Sequence, residues 1–174
     1  MNESIYCVRE SYGIYTNLQL FSLRQAWRCW SELKQDKDNL TEEKCLERYV
    51  VVIDLLGLSL SQLLGQNIQH SSSRVDPPKQ LLSRFLSITT YSDEIKENLI
   101  DRFKEFINYY DGCRHFGLPK HEIINTLTYR KTEQFVNLAL EIWDRVINHF
   151  APVYEDAESF EIIKDILDQH LEVR

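Results

Sequence analysis

The chain has 174 residues, 43% hydrophobic and 27% charged, which suits one globular domain with its own core. With 5 glycines and 4 prolines it is too poor in turn residues for an all-β fold, so an all-α architecture is expected. A formal charge of −7 argues against indiscriminate binding to nucleic acid or to an anionic membrane.

The opening stretch, MNESIYCVRE, has an acid at Glu3 and no apolar run, so no secretory signal is expected. The first helix is expected over 15–34, where Leu20, Leu23, Trp27 and Trp30 recur at steps of three and four. Arg24, Arg28 and Glu32 fall mostly off that face. QDKDNLTEEK then reads as a polar turn, with Thr41 as N-cap and Glu42 and Glu43 where the helix dipole favours acids.

A second helix is expected over 41–64, carried by Leu46, Tyr49, Ile53, Leu56, Leu60 and Leu63 and stopped by Gly65. Its β-branched run from Val50 to Ile53 would suit a strand alone, but both flanks have helical period. The apolar stretch YVVVIDLLGLSL is interrupted by Asp54 and is short of a membrane span. A serine- and proline-rich connection over 65–79 follows, within a single domain spanning 1–174.

A short helix is expected over 79–88. Ser92 starts the next, with Ile95, Leu99, Phe103, Phe106 or Ile107, and Tyr110 on one face, ending at Asp111-Gly112. A helix over 132–150 is built on Phe135, Leu138, Ile142, Val146 and Phe150 and stopped by Pro152. A last, acidic helix is expected over 156–171. The sum is an up-and-down bundle of four to six helices, its aromatic residues mostly core.

Charge is uneven along the chain. Over 154–174, Glu155, Asp156, Glu158, Glu161, Asp165, Asp168 and Glu172 face only Lys164 and Arg174, a net of −5. Over 112–131, Arg114, Lys120, Arg130 and Lys131 face only Glu122, a net of +3. This basic island holds GCRHFGLPKHE, where Gly112, Gly117 and Pro119 interrupt helical period. The four cysteines, Cys7, Cys29, Cys45 and Cys113, form no CxxC pair, and a reducing, cytoplasmic setting is expected.

Phosphate-cradling glycine loops, HExxH and GxSxG are missing. Cys113, His115 and His121 supply only three of the four ligands a structural zinc needs, so neither a metal nor another cofactor is expected. A Cys–His nucleophile pair has no further support. Arg114 offers a planar fork of donors for phosphate oxygens, and His121 titrates near neutrality. Together they match the needs of RNA hydrolysis without metal: a proton acceptor for the ribose 2′-hydroxyl and a cation for the charge that builds on phosphorus.

RHFGLPKH resembles the Arg-x(4–6)-His motif of the HEPN superfamily (higher eukaryotes and prokaryotes nucleotide-binding domains), with His115 at the position after the arginine where Asn, Asp or His is typical. The resemblance implies an all-α bundle with the motif at the start of a late helix, after a long helical hairpin. It implies a metal-independent endoribonuclease of a toxin–antitoxin or antiviral defence system, with Arg114, His115 and His121 catalytic. Single-stranded RNA is then the expected substrate, with Lys120, Arg130 and Lys131 as substrate-binding cations. A homodimer whose two motifs face each other across a cleft is implied, with a cognate protein partner or antitoxin, while the charge and the interrupted apolar stretch make a membrane unexpected. The family also contains non-catalytic modules that bind a protein or a nucleotide, and that alternative stays open.

Overall fold

A computed structural model describes residues 18–68, 77–114 and 119–154, with side chains over 21–65, 77–114 and 122–150. The described residues form five α-helices: α1 (Leu18–Asp36), α2 (Glu42–Ile68), α3 (Pro78–Ser87), α4 (Asp93–Arg114) and α5 (Tyr129–Tyr154). A 3-10 turn, Lys37–Asn39, follows α1, and a 3-10 segment, Pro119–Thr126, lies between α4 and α5. The expected all-α bundle is what folds, and no strand occurs among the described residues. The acidic helix expected over 156–171 lies outside them, as does most of the 65–79 connection.

α2 is the axis of the bundle and packs against each of the other four helices. Val52, Ile53, Leu56, Leu60, Leu63 and Leu64 are all buried, more than one stripe, because neighbours cover several sides. That environment outweighs the strand preference of the β-branched run. Among the described residues, one stretch, Glu42–Gly65, is long and apolar enough by length and composition to cross a membrane. In this structure half of it is buried, and its buried apolar residues belong to the bundle core.

The expected starts hold. Thr41 Oγ1 accepts the Lys44 amide at 3.3 Å, and Ser92 Oγ accepts the Ile95 amide at 3.4 Å. Pro78 stands at the first position of α3, where a missing N–H costs nothing. Three expected stops do not. α2 runs through Gly65 to Ile68. A helical glycine costs only about 1 kcal/mol, and burial of Leu63 and Leu64 holds the preceding turn in place. α4 likewise continues through Gly112, which is buried, so that Cys113 can reach the core. α5 continues past Pro152 to Tyr154. A proline removes one helical hydrogen bond but keeps a helical φ, so a partial turn can follow it.

On α4 the expected face is buried from Leu99 onward, whereas Ile95 is 39% exposed. α5 buries a wider arc than its expected stripe, adding Val136, Ala139, Leu140, Trp143 and Ile147. Rings knit the helices together: Trp30 stacks on Tyr129 at 4.9 Å, and Phe106 meets Phe135 edge-on at 5.5 Å.

The α4–α5 seam is closed by charge. Glu141 accepts Arg102 Nη1 at 2.8 Å across the seam and Arg145 Nη2 at 2.9 Å on its own helix, and Arg145 lies 4.7 Å over the Tyr91 ring. Burial pushes the Glu141 carboxyl up, but the hydrogen bonds from Arg145 and Arg102 outweigh it and hold it below the usual carboxylate range. A carboxyl lowered by folding stabilises the fold above its unfolded pKa, and that contribution disappears as pH falls through its folded value. Glu141→Gln is therefore expected to cost about 1–2 kcal/mol at neutral pH. Urea midpoints measured from pH 7 to pH 3 should show the two proteins converging as the pH falls.

Candidate functional site

Arg114 is the last residue of α4 and is exposed. The resemblance implies a motif at the start of a late helix, and here its arginine closes a helix instead. The reason is local: α4 continues through Gly112 and Cys113, and a helix C-terminus favours a cation. Arg114 Nη1 donates to Tyr110 Oη at 2.8 Å, and its guanidinium carbon lies 5.4 Å from the Tyr110 ring centroid. Phenol and guanidinium edge a hollow of about 270 Å³ between α2, α3 and α4, whose other walls include Ser61, Leu81, Ile107 and Asp111.

The 3-10 segment that carries His121 is held back against α4. Tyr109 Oη and Thr126 Oγ1 are 2.8 Å apart, Thr126 also donates to the Ile123 carbonyl at 2.7 Å, and Ile124 and Leu127 are buried. The chain thus leaves α4 at Arg114 and returns to the same helix with His121 as the third residue of the segment. His115 lies outside the described residues, and so do the side chains of Lys120 and His121.

Of the other expected cations, Lys131 is engaged away from Arg114. Lys131 Nζ is tied to Glu105 of α4 at 2.7 Å and lies 5.6 Å over the Phe135 ring. Glu105 precedes Arg114 by nine residues, roughly 13 Å along a helix axis, so Lys131 does not share a contact point with Arg114. Arg130 is exposed on the first turn of α5.

Cys113 is buried. Burial, with Asp54 adding to it, pushes the thiol up to about 12, so it keeps its proton at neutral pH and is neither a ready nucleophile nor a ready metal ligand. Among the described residues, no group of three His, Cys, Asp or Glu side chains is placed to hold a metal ion.

Two participants were not assigned from the sequence. Tyr110 reads as core, yet it hydrogen-bonds Arg114; the signal was its position four residues earlier on the same helix. Gly57 of α2 faces the Tyr110 ring so closely that a Cβ there would lie 2.1 Å from Cδ2. That contact depends on how α4 meets α2, which no local pattern reveals.

No family model, curated protein or solved structure matches this chain.

Proposed function

We propose that the chain is a metal-independent endoribonuclease in which Arg114 binds the scissile phosphate and His121 moves protons. The observation that carries this reading is the Arg114 guanidinium, hydrogen-bonded to Tyr110 at the mouth of a hollow, with the His121 segment latched back onto the same helix. The buried, protonated Cys113 thiol leaves the arginine and histidines as the reactive groups of the motif.

In the proposed reaction His121 takes the proton of a ribose 2′-hydroxyl. The 2′-oxygen attacks phosphorus, the P–O5′ bond breaks, and the leaving 5′-oxygen takes up a proton. The products are a 2′,3′-cyclic phosphate and a 5′-hydroxyl. Arg114 faces the charge that builds on the non-bridging oxygens. His115 assists by orienting the phosphate, and Lys120 and Arg130 extend the cationic surface. Purified protein should cut single-stranded RNA in EDTA and leave single-stranded DNA, which lacks the attacking hydroxyl, intact. Loss of RNA cleavage on adding EDTA would count against the reading.

Two proton transfers call for a second group, and a two-fold dimer would bring a second copy of the motif to one cleft. Light scattering at micromolar concentration should give twice the mass of the chain, and a strict monomer would contradict the shared cleft. The second reading is a non-catalytic helical module that binds a protein or nucleotide. It is favoured by one observation: Arg114 ends a helix, whereas the resemblance places the motif at the start of one. A protein that binds RNA through Arg114 but never cuts it would decide for this reading.

A further inference from the structure

We propose that Tyr110 is the positioning residue for Arg114, a buried phenol that presets the guanidinium fork at the mouth of the hollow, and that Gly57 exists to admit its ring. The proposal deepens the nuclease reading and rests on it only for the consequence to catalysis.

Tyr110 is 4% exposed and lies parallel to Phe106, with interplanar angle 2° and centroids 6.3 Å apart. Its other close neighbour is Gly57 of α2. A Cβ on Gly57 would come within 2.1 Å of Tyr110 Cδ2 and 2.4 Å of Cε2, distances no side chain can occupy. The buried ring is therefore hemmed in by α2 at Gly57, with little freedom to swing. Its hydroxyl is delivered to the hollow, where Ser61 also stands.

Arg114 is an exposed side chain on the last turn of α4. Among the described residues its contacts are both to Tyr110: the 2.8 Å hydrogen bond and the 5.4 Å approach to the ring. The hydrogen bond sets how far the side chain reaches. Among the described residues one of the five guanidinium N–H donors is engaged, by Tyr110. Burial raises the phenol's pKa more than nearby Arg114 lowers it, so the hydroxyl stays protonated at neutral pH and accepts from Arg114 as a neutral group. Fixing a rotamer-rich arginine beforehand removes an ordering cost that a ligand would otherwise meet.

The test combines an NMR readout with kinetics. The Arg114 Nε–Hε resonance is assigned by its loss in Arg114→Lys and followed by ¹⁵N relaxation. In Tyr110→Phe, which keeps the ring and removes the hydroxyl, that resonance should lose order, and RNA cleavage should fall about tenfold. In the Arg114→Ala background, Tyr110→Phe should produce no further fall, because the residue acts through Arg114. Gly57→Ala should give the same loss of order by displacing the ring; if it fails to fold, Tyr110→Phe alone decides. An Arg114 resonance unchanged in Tyr110→Phe would overturn the proposal, as would an undiminished tenfold effect in the Arg114→Ala background. Loss of order in Tyr110→Phe together with unaltered cleavage in Arg114→Ala would leave the positioning intact and remove the nuclease role of Arg114.

Discussion

Trp143→Ala is expected to destabilise the fold by about 3–5 kcal/mol, the range for emptying a large aromatic site in a packed core. Trp143 is 2% exposed and sits on α5 facing α2. Its Nε1 donates to Ser59 Oγ at 3.0 Å, and Ser59 is fully buried. Two penalties therefore combine: a cavity the helices cannot close, and a buried hydroxyl that loses a donor. Trp143→Phe separates them. It refills most of the space and loses only the hydrogen bond, so about 1–3 kcal/mol is expected. Urea unfolding with an unchanged slope would give both values. A cost below about 1 kcal/mol for Trp143→Ala would mean that α5 does not pack on α2 as described, since a buried aromatic cannot be removed so cheaply.

The sequence carries the helices well because helix identity is a local matter. Leu23 and Trp30 on α1, and Leu99, Phe103 and Tyr110 on α4, recur at helical spacing and are buried. Thr41 and Ser92 announce starts through side-chain chemistry that works within one turn. Ends were less legible. Gly65, Gly112 and Pro152 each read as a stop, and each lies inside a helix. A glycine's cost is small enough for packing to override, and packing comes from residues distant in sequence.

The candidate site was legible in part. Arg114 stands out from the sequence as a cation at a chain break, and it does end a helix. The partnership of Tyr110 with Arg114 was not read from the sequence, although their spacing of four on one helix carried the signal. The Gly57 slot and the diversion of Lys131 to Glu105 both arise between helices, where no single segment contains the information.

Under the nuclease reading, His121→Ala is expected to lower RNA cleavage by about 10²–10⁴-fold, the usual contribution of a positioned proton-transfer group. Arg114→Ala should cost a comparable factor by removing the cation from the developing charge. Arg114→Lys should recover only part of it, because an ammonium keeps the charge but not the planar fork. Neither change should lower stability appreciably at Arg114, which is exposed and bonds only to Tyr110 among the described residues. A variant that unfolds would report on packing rather than on chemistry, so each is to be compared at matched helical content.

The measurement that bears most directly on this account is the end chemistry of RNA incubated in EDTA with the wild-type protein and with His121→Ala, side by side. The wild type is expected to give 2′,3′-cyclic phosphate and 5′-hydroxyl ends, and the variant a yield lower by about 10²-fold or more. Products with 3′-hydroxyl and 5′-phosphate ends, or an equal yield from His121→Ala, would contradict it.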